Sequence, residues 1–513
     1  MTRRDRELSI VLAVALLIAL VFLGKGFHVD EPFFLDRARE FLSGAIWAPR
    51  AWSDYNNNPP MILWLLAAAT RLVGESESAL RALFLPLDAL AAASLYLLFA
   101  RFLRKPLAWA LLAVLSPAYV LNMGHLMAEK PAMAFGAAAL YALVRGAEDG
   151  RTGWLAASAA LLSAAVMSKY ASVALLPAAA WYLRKRGFGF RALAGYFSLA
   201  VLAPSLYLLS NTLTSGIVLR GVAATMSGAS TGAWARAPHR ARSLLAFCGG
   251  LAVLPMFWPL ASGRRTLLGA AATAVLLFSP FFDSAAVRPL DRAFGAWLAA
   301  GALASILLIA SARRARGRDL WLPWLIGSAV VVASYWSVMA RVGLFAIPPF
   351  LLALGTAFET QPEEGLRARV PWIAVAVAAC LSLSLGWVDF CYAGAQKDIA
   401  AELAARGRPV WCAARLGLRH YLLRAGARPL DSQSDWERVR PGDLVVFSKT
   451  TTNFRPMRLR RVNVERRMVL SYMPLRLISG FGGEGGFYSN ISGFLPYSPG
   501  DEPVEEFTVV EAL

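Results

Sequence analysis

Two adjacent acids, Asp30 and Glu31, follow the first apolar run of the chain, within the tetrad His28-Val29-Asp30-Glu31. A carboxylate held at the edge of an apolar region can act as a general base, because partial burial tunes its pKa. The ordinary alternative is a pair of solvated loop charges. The pair therefore marks a candidate site of proton transfer whose use depends on its neighbours.

Two further charged residues lie at the ends of later apolar runs. Glu129 is followed by Lys130. Glu129 either forms an ion pair with Lys130 or shares a cavity with Asp30. Lys169 either extends toward lipid headgroups or binds a phosphate group. The loop 210–242 contains four arginines. They could form bidentate contacts with a phosphate, or they could form a rim that binds lipid headgroups. They are Arg220, Arg236, Arg240 and Arg242.

Other titratable residues indicate weaker possibilities. Asp88 lies inside an apolar run, where an acid is costly and suggests function, although water can reach this position. His125 or His239, together with Asp30 or Glu129, could bind a divalent metal, but no spacing requires one. The four cysteines have no CxxC spacing and predict neither a disulfide framework nor a cysteine metal site. The sequence thus requires no cofactor and leaves a divalent metal possible.

The amino-acid composition indicates which kind of secondary structure positions these residues. The chain has 513 residues, of which 57% are hydrophobic and 17% charged, and its mean hydropathy is +0.50. A soluble protein is closer to a quarter charged. Disorder, a coiled coil and a secreted disulfide scaffold are therefore excluded, and a polytopic α-helical membrane protein is predicted. The net charge of +19 comes without a nucleic-acid-binding motif, so it indicates topology rather than a nucleic-acid partner.

The apolar runs predict about thirteen spans, counting residues 8–24 as the first. Residues 61–73 form too short a run, flanked by Asn and Pro, and are interpreted as a helix on the membrane surface. With this count, five basic clusters lie on the side of the N-terminus, as the positive-inside rule expects. The later runs are 79–100, 106–122, 128–145, 153–168, 170–183, 192–209, 243–261, 266–282, 292–311, 319–338, 342–358 and 370–388.

This topology predicts two domains. Residues 1–390 form the membrane domain, with a first external loop at 25–78. Residues 391–513 have mixed charge, short strand-like runs and Gly/Pro turns, and predict a small α/β domain outside the membrane. The glycine-rich stretch 480–486 lacks the GK[ST] ending of a phosphate-binding loop.

Several motifs occur in a characteristic order: the acidic pair, an amphipathic stretch at 34–42, Asn58-Pro59-Pro60 before the surface helix, and the stretch 74–81. This order resembles the GT-C superfamily of integral-membrane glycosyltransferases. The resemblance is to the branch of protein O-mannosyltransferases and bacterial aminoarabinose transferases. The turn at Ser168-Lys169-Tyr170 is also similar to the family's Thr-Lys-Gly turn.

The resemblance implies transfer of one sugar from a polyprenyl-phosphate carrier to an acceptor at the outer face of the membrane. It implies that Asp30 is the catalytic base, Glu31 its partner and Glu129 the second acid, which is usually Asp in the family. It assigns phosphate binding to Lys169 and the external arginines, including Arg220, Arg236 and Arg240. The chain departs from the aminoarabinose branch at Phe33 and Asn58, so neither that donor nor a lipid A acceptor is carried over.

The expected partners are a polyprenyl-phosphate-linked sugar, membrane lipid, and a glycan, lipid or protein acceptor. The Ala-, Arg- and Leu-rich composition favours a bacterial inner membrane, with undecaprenyl phosphate as carrier, the N-terminus cytoplasmic and the tail extracytoplasmic. Two alternatives stay open. One is a transporter or flippase of lipid-linked sugars. The other is a polymerase or ligase that uses a pyrophosphate-linked donor.

Overall fold

The computed structural model describes residues 1–43, 59–214, 237–257, 259, 264–279, 287–361, 365–452 and 461–513. Most of these residues are helical. The α-helices are, in chain order, α1 Arg3–Val21, α2 Glu31–Leu42, α3 Met61–Val73, α4 Glu77–Phe102, α5 Pro106–Val114, α6 Pro117–Met123, α7 Glu129–Asp149, α8 Thr152–Ser168, α9 Leu175–Lys185, α10 Phe190–Thr214, α11 Ala237–Ala252, α12 Arg264–Leu277, α13 Pro289–Ser311, α14 Arg318–Ser334, α15 Ala340–Gly343, α16 Ile347–Glu359, α17 Val370–Ala405, α18 Leu416–Arg424 and α19 Gln433–Trp436.

Apolar helices make this chain a membrane protein, as its composition predicts. Among the described residues, four helices are long and apolar enough to cross a bilayer, and a bent helix pair makes up to five. Several predicted spans are shorter or interrupted. The run 170–183 starts as a 3₁₀ turn before α9, and the run 342–358 is divided between α15 and α16. The count of about thirteen spans therefore stays a prediction.

The bend in the run 106–122 has a local cause. Helices α5 and α6 meet at an angle of 51°. Pro117 begins α6 and has no N–H to continue the hydrogen-bond ladder of α5. The hydroxyl of Ser116 accepts a hydrogen bond from the Tyr119 amide at 3.2 Å and caps the new helix. This bend ends just before His125 and Glu129.

Helix α3 has the bounds that the sequence predicts for the surface helix. Its buried residues Ile62, Leu66 and Ala69 fall at helical spacing on one face. They pack in one apolar cluster with Phe34 of α2 and Phe84 of α4. Helices α2 and α3 are thus packed against the helical bundle through α4.

The tail has an α/β arrangement. Its strands are β1 Val410–Cys412, β2 Arg428–Pro429, β3 Leu444–Ser448, β4 Arg461–Val469, β5 Leu475–Arg476, β6 Ser498–Pro499 and β7 Glu505–Ala512. Five of them form a sheet of order β2-β1-β3-β7-β4, in which β1 is parallel to its neighbours and β7 antiparallel to both of its own. The remaining two, β5 and β6, form an antiparallel pair.

One helix joins the membrane part to this sheet. Helix α17 runs for 36 residues without a break through the predicted domain boundary at 390/391. Its last turns place Ile399 and Leu403 against Val446 and Val509 of the sheet. Because the helix is continuous, the position of its membrane half determines where the tail begins.

Candidate functional site

The backbone at Val29 separates the two adjacent acids. Val29 has φ 51°, in the left-handed region that a β-branched residue rarely adopts. Helix α2 starts immediately afterwards at Glu31, and its N-cap is Asp30. The Asp30 side chain is 35% exposed, whereas that of Glu31 is 0% exposed. The two acids therefore lie in different surroundings and have different partners.

Asp30 belongs to a group of four charged residues, which we name the Arg341 cluster: Asp30, Glu129, Lys169 and Arg341. Arg341, from the short helix α15, donates to the Asp30 carboxylate. Its Nε also lies 4.0 Å from Glu129 Oε1. The Lys169 ammonium donates a hydrogen bond to the Glu129 carboxylate. The structure thus brings together three residues that the sequence singled out, around a fourth that it did not.

Glu129 and Lys130 point to different partners, because successive residues in the first turn of a helix are rotated by about 100°. Lys130 Nζ lies 2.9 Å from Asp88 Oδ2, and both side chains are buried. The Glu129–Lys130 ion pair that the sequence allowed is therefore replaced by two separate pairs. Asp88 is accounted for as the counter-charge of Lys130. Lys169 is buried, so it does not extend to the headgroups.

A second group lies on the buried side of Val29. We name it the Asp389 cluster: Lys25, His28, His125, Asp389 and Tyr488. Asp389, in α17, has Lys25 Nζ at 2.9 Å, His28 Nε2 at 2.7 Å and His125 Nε2 at 3.2 Å. The Tyr488 hydroxyl from the tail also donates to it. This carboxylate joins the segment between α1 and α2, the turn before α7, the last long helix and the tail.

Glu31 anchors the loop beside this cluster. Its carboxylate accepts from Arg81 Nη2 at 2.9 Å and from the Leu126 amide at 2.9 Å. It also lies 3.3 Å from His28 Nδ1. Burial opposes the charge, but Arg81 and His28 outweigh it and hold the pKa of Glu31 well below its usual range. Glu31 is therefore a charged structural anchor in this arrangement.

Ligand atoms of His28, His125 and Asp389 lie within 4.8 Å of one another, a spacing that could hold a metal ion. The Lys25 ammonium, however, already contacts the same carboxylate. Burial and this ammonium lower the pKa of His125 to about 4, which leaves its imidazole neutral. His125 is therefore placed with Asp389, rather than with Asp30 or Glu129. His239 lies elsewhere, with its Nε2 3.0 Å from the carbonyl of Asn490.

The predicted phosphate-binding arginines have different outcomes. Arg240 donates to three carbonyl groups at the end of α14, those of Ala333, Tyr335 and Trp336. It therefore holds the connection that leads to Arg341. Arg242 is buried and its guanidinium stacks over the ring of Phe494. Arg220 and Arg236 lie outside the described residues.

Sequence reasoning missed Arg341, Asp389, Lys25 and Arg81. Arg341 is the single charged residue between the apolar runs 319–338 and 342–358, where a lone base is an ordinary headgroup anchor. Asp389 gave a usable signal, because an acid at the end of an apolar run is costly unless it is paired. Its partners come from positions far away in the chain, and sequence spacing does not identify them.

Residues 57–213 match the family described as dolichyl-phosphate-mannose-protein mannosyltransferase. This match confirms the resemblance to GT-C membrane glycosyltransferases that the motif order indicates. No curated protein matches the chain.

Solved structures also resemble the chain. One is ArnT from Cupriavidus metallidurans bound to undecaprenyl phosphate, with 17% identity, 86% of this chain and 92% of that chain covered, and a TM-score of 0.46. The S. cerevisiae protein O-mannosyltransferase Pmt1-Pmt2 complex bound to the sugar donor has 17% identity and a TM-score of 0.34. It covers 42% of this chain and 34% of that chain. At this level of similarity no residue role follows from either structure.

Proposed function

We propose that this chain is a membrane glycosyltransferase of the GT-C type that moves a sugar from a polyprenyl-phosphate carrier to an acceptor. The family match over residues 57–213 supports this proposal. The carrier is undecaprenyl phosphate in this proposal, and the acceptor offers a hydroxyl or phosphate group at the outer face of the membrane. The proposed location is a bacterial inner membrane, with the N-terminus cytoplasmic, about thirteen spans, and residues 391–513 on the outer side.

The observation that carries this proposal is the convergence in the Arg341 cluster. Asp30, Glu129 and Lys169 are separated by about 100 and 40 residues in the chain, yet one series of ion pairs joins them, from Asp30 through Arg341 to Glu129 and then to Lys169. Asp30 is the exposed member, so an acceptor can approach it. Two carboxylates and two cations in one place provide both a proton acceptor and a binding site for phosphate.

The chemistry proposed for this site is a single displacement. The acceptor oxygen attacks the anomeric carbon of the sugar, and Asp30 takes the proton from the acceptor hydroxyl. The bond from that carbon to the phosphate oxygen breaks, and polyprenyl phosphate leaves with the electron pair. Because negative charge grows on this leaving group, a cation beside it stabilises the transition state more than the ground state.

Arg341 is suited to couple the two halves of this step. Its planar guanidinium can form two parallel hydrogen bonds with a phosphate, which a lysine cannot. When a donor phosphate binds Arg341, the Asp30 carboxylate loses its present partner and becomes available to the acceptor proton. Lys169, held by Glu129, supplies the second positive charge at the same site.

The test is turnover of purified full-length protein with a panel of radiolabelled undecaprenyl-phosphate sugars. Asp30→Asn keeps the size of the side chain and removes the base, so we expect a loss of about 10²- to 10⁴-fold in kcat. Asp36→Asn is the matched control, because Asp36 lies on the same helix and its side chain is 57% exposed.

Other outcomes decide between the alternatives. Wild-type protein that binds the carrier but consumes no monophosphate-linked donor would favour a flippase or a pyrophosphate-dependent polymerase or ligase. A pyrophosphate-linked donor panel separates those two. If Asp30→Asn remains as active as wild type, Asp30 is not the base and Glu129 becomes the candidate.

For the cofactor, we propose that transfer requires no metal ion. A divalent ion bound to His28, His125 and Asp389 would lie next to the Lys25 ammonium, which contacts the same carboxylate. The two positive charges would repel each other. In the Arg341 cluster, Lys169 and Arg341 provide the positive charge that a metal supplies in other phosphate chemistry.

A further inference from the structure

A cavity of about 310 Å³ lies at the opposite end of the helical bundle from both charged clusters. Its lining comes from the start of α1, the α4–α5 turn, the end of α16 and the start of α17. Arg3 begins α1, whereas Lys25, beyond the end of that helix, belongs to the Asp389 cluster. On α17, the nineteen steps from Val370 to Asp389 rise by about 28 Å. That distance is close to the hydrocarbon thickness of a bilayer, so the cavity lies at the other membrane interface.

The acids of this cavity already have partners. Glu359 Oε1 accepts from the amides of Arg104 at 2.7 Å and Lys105 at 3.1 Å. Glu7 accepts from Arg3 Nε at 2.8 Å and from the Tyr96 hydroxyl at 3.0 Å. These two carboxylates are therefore committed to holding the helix ends together.

Arg367 differs from them. It lines the cavity with its guanidinium over the ring of Phe358, 5.3 Å from the ring centre. Its Nε and Nη2 are buried and have no hydrogen-bond partner among the described residues. The guanidinium therefore offers two buried N–H donors to an anionic ligand in this cavity.

Arg3 and Lys105 add positive charge to the lining, and the rest of it is apolar. Trp372 is 50% exposed and stands at the rim beside Pro371 and Ala368. Tryptophan at this depth is typical of a membrane interface. A ligand of this cavity therefore has an anionic head beside Arg367 and an apolar chain beside Trp372. Basic pockets between membrane helices bind anionic lipid headgroups in this way.

We propose that this cavity binds one anionic phospholipid of the leaflet on the N-terminal side. The phosphate of the headgroup accepts hydrogen bonds from Arg367 Nε and Nη2, and an acyl chain packs along Trp372. This site is separate from the Arg341 cluster and does not depend on the proposed transfer reaction.

The experiment measures lipid binding to delipidated full-length protein by native mass spectrometry. The probes are phosphatidylglycerol and phosphatidylcholine with the same palmitoyl and oleoyl chains. Wild type should bind one phosphatidylglycerol more tightly than phosphatidylcholine. Arg367→Gln should weaken phosphatidylglycerol binding by about tenfold, because charge-assisted hydrogen bonds to the phosphate are lost.

Two further variants make the result specific. Arg369→Gln removes an exposed charge two residues away that does not line the cavity, and should leave binding unchanged. Ala368→Trp should fill the cavity and reduce binding while Arg367 remains. Equal affinity for both lipids, equal losses in Arg367→Gln and Arg369→Gln, or displacement of the lipid by inorganic phosphate at the same concentration would each overturn the proposal.

Discussion

Asp30 and Glu31 show how much a single residue can change the environment of its neighbours. With this strained backbone at Val29, His28 and Glu31 are buried, whereas Asp30 stays partly exposed beside Arg341. A left-handed conformation at a β-branched residue persists only when surrounding contacts hold it. The contacts of Glu31 with Arg81 and with the Leu126 amide are such contacts. The position of the Asp30 carboxylate is thus determined by an anchored neighbour.

At Arg341 we expect charge and shape to matter separately. Arg341→Gln should lower kcat by about 10²-fold, because a cation at the leaving phosphate is lost. Arg341→Lys keeps the charge but not the two-pronged geometry, so it should recover part of that loss. Steady-state kinetics with the radiolabelled donor measure both variants. Unchanged kcat in Arg341→Gln would remove this residue from the reaction.

Metal removal tests the role of Lys25. Turnover should persist after dialysis against EDTA, because the ammonium of Lys25 neutralises Asp389 without a metal. Metal content by mass spectrometry of the purified protein gives an independent readout. Activity that disappears with EDTA and returns with one divalent ion would contradict this prediction and make His28, His125 and Asp389 the ligands to test.

At the scale of elements, close helix crossings depend on small residues. A Cβ added to Gly249 of α11 would lie 2.1 Å from the carbonyl oxygen of Leu298 in α13. Neither backbone can move without displacing its whole helix. Small residues at such crossings allow membrane helices to approach closely.

Gly249→Ala should therefore destabilise the protein by about 1–3 kcal/mol through overpacking. Gly269→Ala on α12 is the control, because no heavy atom lies within 4 Å of the added Cβ. That control should be neutral or stabilise by up to about 1 kcal/mol, since alanine favours helix more than glycine does. Thermal unfolding in one detergent compares them. Equal melting temperatures would show that α11 and α13 do not pack as described.

At the scale of the whole molecule, Asp389 connects parts that are distant in sequence. Its donors lie on the segment between α1 and α2, on the turn before α7 and on the tail. Helix α17, which carries Asp389, continues into the sheet of the tail. The tail and the membrane part should therefore unfold together.

Asp389→Asn should lower the free energy of unfolding by about 3–5 kcal/mol, because a buried ammonium is left without its counter-charge. Asp398→Asn, an exposed position on the same helix, should change it little. Thermal unfolding and limited proteolysis of the tail are the measurements. A tail that becomes protease-sensitive while the melting temperature stays unchanged would show that the two parts are independent.

The sequence alone determined the membrane character and the helix at 61–73, and it singled out Asp30, Glu129 and Lys169 as candidates. Apolar run length and residue type carry these properties, and both are local. The tertiary structure decided that Lys130 pairs with Asp88, that Glu31 separates from Asp30, and that Arg341 stands between the predicted residues. These outcomes depend on which helices pack together, and a buried charge selects its partner by proximity across the fold, which spacing along the chain does not encode.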